Sequence, residues 1–279
     1  MTTRATAGPR PHSPLNVELS PRLPTVAREA ATVLDLNAVS RALRAGQEIV
    51  SEGRRCNAVF LIITGIAIRY RILRDGQRQI LNFLLPGDFA GISSCRFQNA
   101  LVSIKTLTPA AVAPIPLKQL VGLVETQPQL AARLFWWFSS EQTILAERLI
   151  AIGRRAARER IAHFLLELLV RLQNIGLADE QSYHLPLTQE TISDALGLSI
   201  PYVNRVLGEL RDAGLVHIKD RQVIIDDVEE LSALADFEHA YLKPASFADL
   251  MSPPQAQGGG GSGQARQTGK DSESFLNIA

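Results

Sequence analysis

Residues 187–216, LTQETISDALGLSIPYVNRVLGELRDAGLV, constrain the fold more than any other stretch of this chain. Thr188 is placed to cap a short helix in which Ile192 and Leu196, four residues apart, share a face. Gly197 supplies the tight turn that follows, since glycine adopts a left-handed backbone without a Cβ clash. Leu198 plugs inward and Ser199 is the next N-cap. The second helix runs to about Ala213 and stops at Gly214, with Val203, Val206, Leu207 and Leu210 at 3/4 spacing. Helix, glycine turn, cap and helix make a helix-turn-helix, whose second helix can enter the major groove of DNA. The same spacing fits an ordinary helical hairpin packed in a core. Residues 216–218 and 222–225 weigh against that, being short β-type runs around Lys219, Asp220 and Arg221. A helix-turn-helix followed at once by a hairpin is a winged helix.

The upstream half has a different period. Residues 58–63, 67–73, 79–84, 101–107 and 111–115 are strand-like runs separated by Gly, Pro or Asp, the pattern of a β-barrel or jelly roll. Asp75-Gly76 marks a tight hairpin between two of them, because such a turn requires positive φ. Arg69, Arg71, Arg74 and Arg78 lie on that hairpin, either as an anion or partner surface or, the preferred reading, as solvated charges on a strand edge.

Residues 130–152 read as one long helix. Leu130, Trp137, Ile144 and Ala151 recur every seven residues, and Phe138, Leu145 and Ile152 form a second series beside them. So broad an apolar face packs on its own barrel, on the same helix of a second subunit, or on both. Gly153 is expected to end the helix, as a hinge or a simple stop, and Arg154-Arg155 to begin another that is apolar at Ile161, Phe164, Leu165, Leu168 and Leu169.

These residues carry a resemblance. The 187–216 segment, with its turn Gly197, cap Ser199 and Arg205, resembles the DNA-binding signature of the Crp/Fnr family of bacterial transcription regulators. Ala45-Gly46-Gln47-Glu48, residues 60–65 and Pro86-Gly87-Asp88-Phe89 resemble that family's β-roll. The resemblance implies an α+β chain with a cyclic-nucleotide-binding-like β-roll (jelly-roll) sensor, a long dimerisation helix and a C-terminal winged helix-turn-helix. The expected boundaries are a disordered arm over 1–25, the β-roll over 26–127, the dimerisation helix over 128–153, the winged helix over 154–229, and a C-terminal helix with a flexible tail over 230–279. The arm is proline-rich, and the tail contains a Gly-Gly-Gly-Gly-Ser run.

The implied function is sequence-specific transcription regulation, with a homodimer bound to an inverted repeat in double-stranded DNA and RNA polymerase as a further partner. The candidate DNA-contacting residues are Thr188, Ser199, Ile200, Pro201, Tyr202, Asn204, Arg205 and Gly208; the candidate dimer contacts are Leu130, Trp137, Phe138, Ile144, Leu145 and Ile152. Arg205 is the best base reader, because its forked guanidinium can bond guanine O6 and N7 together; its bland alternative is a salt bridge to Glu209. Pro201 stands where many relatives carry an acidic residue, so readout of cytosine by a carboxylate is lost there, and Ile200 and Tyr202 are candidates to contact thymine methyls or phosphate instead.

The sensor departs further. Where relatives that bind cyclic nucleotides have a ribose-binding Glu and a cationic phosphate pair, this chain has Ile92, and Ala100 with Leu101. An apolar pair cannot stabilise a phosphodiester charge, so cyclic AMP is not the expected effector. Cys56 and Cys95 are too few for a disulfide framework or a four-thiolate cluster, and residues 26–127 contain no histidine. No enzyme motif, metal-ligand spacing or cofactor site is recognised. With no membrane-length apolar run and no signal-peptide pattern, a cytoplasmic location is expected. The net charge is +1, and residues 154–221 hold nine Lys/Arg against nine Asp/Glu. Any basic surface must therefore come from how charges are distributed. The alternative function is a signalling or assembly module whose winged helix binds protein.

Overall fold

The computed structural model describes residues 27–28, 31–32, 39–92, 97 and 99–243. The expected arm over 1–25, the Gly-rich tail, His12, Cys95 and Arg96 lie outside the described residues.

Eight strands build the first half: β1 (Arg41–Leu43), β2 (Glu48–Val50), β3 (Ala58–Thr64), β4 (Ala67–Ile72), β5 (Arg78–Leu84), β6 (Phe89–Ala90), β7 (Ser103–Thr106) and β8 (Ala110–Pro116). They form two antiparallel sheets in the orders β1-β8-β3-β6 and β2-β7-β4-β5. Side-chain alternation sorts three apolar layers. Ile62 and Val112 from one sheet and Ala67, Leu84 and Ile104 from the other fill the interior of the roll. Leu61, Ile63, Phe89 and Ile115 cover the outside of the first sheet. Ile68, Tyr70, Ile80 and Phe83 cover the outside of the second. The β4–β5 hairpin turns through Gly76 at φ 84°, the left-handed conformation that Asp75-Gly76 foretells.

Two helices follow the roll. α1 (Leu117–Thr126) leads into α2 (Pro128–Arg154) through Gln127. Leu123, Leu130 and Leu134 pack on the first sheet, while Trp137 stands edge-on to Phe89 at 5.2 Å between ring centroids. α2 runs through Gly153, contrary to the expected stop; a single glycine costs a long helix only about 1 kcal/mol. The chain breaks two residues later, at Arg155 (φ −79°, ψ 142°). The Glu159 carboxylate accepts from Ala156 N at 2.9 Å, and Arg160 donates to the carbonyls of Ile152 (2.9 Å) and Arg155 (3.1 Å). These contacts cap both ends of the break.

The second half comprises α3 (Ala157–Asn174), β9 (Ser182–His184), α4 (Gln189–Leu196), α5 (Ile200–Asp212), β10 (Val216–Lys219), β11 (Gln222–Ile225), α6 (Val228–Ala235) and a 3₁₀ turn, His239–Leu242. β10, β11 and β9 form the winged sheet. The core of this half is continuous with the outer face of the second sheet of the roll. Ile161, Phe164, Leu165 and Leu168 of α3 and Ile192 and Ala195 of α4 belong to the apolar cluster that contains the outer face of β4 and β5.

Buried charges cross the same boundary. Arg171 of α3 donates to Asn82 Oδ1 (3.1 Å), to the Phe83 carbonyl (2.8 Å) and to Asp88 (3.3 Å) in the roll. Arg148 of α2 reaches the Leu81 carbonyl and Glu167, both at 2.9 Å. Glu141 of α2 accepts from Asn82 (2.9 Å) and Arg69 (3.2 Å). Each buried ion thus has an opposite charge and further hydrogen bonds, without which its desolvation would be very costly. The hairpin arginines are only partly the solvated set expected: Arg69 is held by Glu141, Arg71 by Glu52 at 3.1 Å, and Arg78 by α4.

Candidate DNA-binding surface

The helix-turn-helix forms as its residues dictate. Thr188 Oγ1 accepts from Thr191 N at 3.0 Å and caps α4. Gly197 takes φ 63° and ψ 39°, and Leu198 packs against the core. Ser199 occupies the N-cap position of α5, but its side chain accepts no capping bond. Pro201 at the second helical position has no N–H to offer, so one of the two usual cap donors is missing. Val203, Val206 and Leu210 are buried beneath α5, with Leu207 partly so.

That packing turns the other side of α5 outward. Ser199, Ile200, Pro201, Tyr202, Asn204 and Arg205 are exposed, Thr188 is exposed at the start of α4, and Gly208 is half-buried. Asn204 Oδ1 accepts from Gln189 Nε2 at 3.1 Å, which ties the two helices together at the surface. Arg205 is held by neighbours one turn away on either side. Its guanidinium carbon lies 4.4 Å from the centre of the Tyr202 ring, and Nε is 3.7 Å from Glu209 Oε1. A groove of 310 Å³ runs beside this face, lined by Thr188, Gln189, Asn204, Gly208, Arg211 and Ile218. Gln189 and Arg211 were not singled out from sequence; Gln189 lies one residue after the cap, and Arg211 three residues after Gly208, spacings that would have flagged both.

The wing turns through Asp220 (φ 51°) and Arg221 (φ 67°), a two-residue left-handed turn that places Lys219 and Arg221 at its tip. The Arg221 carbonyl accepts from Leu185 N at 2.8 Å.

Charge is sorted across this half of the chain. Arg78 of β5 donates to Asp194 at 2.6 Å and to Glu190 at 3.1 Å, both on α4. Glu167 is paired with Arg148 and Arg171 in the interior. Three of the carboxylates counted in residues 154–221 are thus paired away from α5, Glu190 and Asp194 sharing the single charge of Arg78.

The dimer candidates divide. Leu130 and Ile144 are buried inside the protomer, and Trp137 is committed to Phe89 and to Asp88, its indole N–H donating to Oδ1 at 3.3 Å. Leu130 and Trp137 thus pack on the chain's own roll, one of the two surfaces expected for this helix. Phe138 and Ile152 are exposed and Leu145 is half-buried; Phe135 and Leu149, each 73% exposed, extend their stripe.

In the roll, Ala100 is buried in the interior, Leu101 is exposed, and Ile92 is half-buried. The Lys105 ammonium lies 5.1 Å from the centre of the Tyr70 ring. Among the described residues no group of three or more His, Cys, Asp or Glu could hold a metal ion, and no helix is long and apolar enough to cross a membrane.

Residues 40–127 match the family model for the cyclic nucleotide-binding domain, and residues 159–234 that for the Crp-like helix-turn-helix domain. Electron transport regulator A of Shewanella oneidensis is 29% identical over 209 residues, which is 75% of this chain and 83% of that protein. The transcriptional activator protein anr of Pseudomonas aeruginosa is 31% identical over 195 residues, 70% of this chain and 80% of that protein. The structure of FixK2 from Bradyrhizobium japonicum superposes with a TM-score of 0.63 at 28% identity, covering 70% of this chain and 96% of that one. A sensor-type β-roll joined through a long helix to a winged helix-turn-helix defines a DNA-binding transcription regulator. The chain belongs to the Crp/Fnr family.

Proposed function

We propose that this regulator reads an inverted repeat in double-stranded DNA as a homodimer, with α5 in the major groove and Arg205 as the principal base contact. The observation that carries the reading is the face of α5. Its apolar side is consumed by Val203, Val206 and Leu210, while Arg205 stands outward with the hydrogen-bonding geometry that guanine requires. The pairing of Glu190 and Asp194 with Arg78 supports it, because that cation offsets part of the negative charge that would repel phosphate. Thr188, Ser199, Asn204 and Gly208 flank Arg205 as backbone and groove contacts, and Ile200 and Pro201 contribute apolar contacts such as thymine methyls.

The uncovered stripe on α2, Phe135, Phe138, Leu145, Leu149 and Ile152, supports a second copy as its partner, since the 3/4 spacing is that of a helix pair. Relatives named as transcriptional activators support RNA polymerase as a partner and a cytoplasmic site of action, by binding and not by catalysis. In this reading cyclic AMP is not its effector: among the described residues the apolar fill of the roll, Ala100 included, offers no cation to a phosphodiester, and Lys105 lies over Tyr70.

Selection from random-sequence DNA tests the reading. The full-length protein is expected to enrich an inverted repeat, and Arg205→Ala to weaken binding to it by roughly 10-fold or more per half-site. Failure to enrich any sequence would point instead to a winged helix that binds protein.

A further inference from the structure

We propose that Tyr202 is the positioning residue for Arg205, an aromatic rest that fixes the guanidinium for one guanine and makes no base contact of its own. The proposal rests on the reading of α5 as the base-reading helix and deepens it.

An exposed arginine on a helix samples many rotamers, and each must be given up when it grips a base. Tyr202 lies one turn before Arg205 on the same face, and its ring centre is 4.4 Å from the guanidinium carbon, well within cation–π range. The contact uses the flat face of the guanidinium. Recognition of guanine uses the N–H groups in the guanidinium plane, so the ring holds the group without spending a donor.

Glu209, one turn later, engages Nε, which leaves the two terminal nitrogens for an acceptor outside the protein. Those are the nitrogens suited to O6 and N7. Of the two restraints the ring is the one that persists at the DNA surface: an exposed carboxylate pair is screened by salt, and a carboxylate facing phosphates is repelled. The ring carries no charge. An aromatic side chain also has only two side-chain torsions to order, so it is a low-entropy support.

In this proposal Tyr202, a candidate DNA contact from sequence, has an intrahelical role instead. Its face is occupied by Arg205.

The test uses the full chain and its selected operator. The guanine read by Arg205 is located as the position where Arg205→Ala loses preference, and is then replaced by adenine or by 7-deazaguanine. Tyr202→Leu is expected to reduce discrimination at that position by about 3- to 10-fold and to leave the other positions unchanged. Tyr202→Phe, which keeps the ring, is expected to restore discrimination to within about two-fold of the parent. In an Arg205→Ala background, Tyr202→Leu should have no further effect at that base pair. Thermal melts of each variant establish that all are folded. The proposal is overturned if Tyr202→Leu keeps full discrimination, if Tyr202→Phe loses as much as Tyr202→Leu, or if the two substitutions add. If Arg205→Ala alone leaves every base preference intact, the base-reading role of α5 fails first, and this proposal with it.

Discussion

Asp220 and Arg221 at the wing tip both hold left-handed backbone, at φ 51° and 67°, where a Cβ is crowded by the following carbonyl. The two-residue turn demands it, and an Asp-Gly pair would meet the demand at less strain. Arg221→Gly is therefore expected to stabilise the fold by about 0.5–1 kcal/mol after the greater freedom of glycine in the unfolded chain is discounted. It should also weaken DNA binding and flatten its salt dependence, by removing one cation from the tip. Urea midpoints and binding at two salt concentrations measure both; a destabilised variant would show that the tip is not strained. At this scale much of the surface was legible in sequence. The 3/4 spacing of Val203, Val206 and Leu210 leaves Arg205 outward by subtraction. Ser199 takes the expected N-cap position without the side-chain bond, and Pro201 leaves it one donor fewer to accept from. The stacking of Arg205 on Tyr202 follows a three-residue spacing, but a rotamer decides it, and spacing does not choose rotamers.

The long helix α2 shows what a period can and cannot tell. Its seven-residue repeats identified two adjacent stripes, but two stripes on one helix look alike until something covers one of them. The roll covers Leu130; Ile144 and Ala151 are buried elsewhere within the protomer, and Phe135 and Leu149 are left outside. Leu149→Glu is expected to yield monomers in light scattering and to weaken operator binding, since a carboxylate buried in an apolar seam is costly, while the monomer's thermal stability stays near that of the parent. A Leu149→Glu dimer of normal DNA affinity would place the subunit contact elsewhere. The end of α2 was misjudged for a related reason. Gly153 looks like a stop, but the actual break is held by Arg160, whose guanidinium also bonds the Leu196 carbonyl at 2.9 Å, a residue 36 positions along the chain. The strands of the roll were more legible, because alternation and Asp75-Gly76 are local. β1, β2 and β6 are two or three residues long and carry no period to detect.

In the whole molecule, the joint between α2, α3 and the C-terminal 3₁₀ turn encloses His163. It stands edge-on to Phe237 at 5.0 Å and stacks on Tyr241 at 6.4 Å between ring centres. Burial, with Arg155 adding to it, pushes the imidazole down to about 4, against the partial opposition of Glu167 and Glu147. His163 is thus neutral in the folded chain. Below its ordinary value of about 6.5 the unfolded chain takes up a proton that the folded chain refuses, so stability is lost as pH falls from there toward 4. Asp88 works the other way over much of the same range, since burial and then Glu141 raise it to about 6 and its protonation favours the folded chain. Comparing the parent with His163→Phe cancels what the two share. Between pH 7.5 and 5 the parent should lose about 2 kcal/mol more than the variant in urea denaturation. Equal losses would mean that His163 takes up its proton at the same pH in the fold as in the unfolded chain.

The domain order of the chain was readable from its motifs, yet nothing in the motifs said that the core of the second half runs on into the roll. Ile68, Ile80 and Phe83 of the roll serve as the floor beneath α3 and α4. That floor limits how such a protein can be rebuilt, whether by a laboratory or by descent. A DNA-binding half taken from another regulator would arrive with a mismatched underside, and the graft would expose the roll it was meant to cover. The side chains that face outward from α5, among them Ile200, Pro201, Tyr202 and Arg205, belong to no part of that floor. New operators are thus within reach of point substitutions on one helix, while exchange of the whole DNA-binding half requires the floor to be repacked with it.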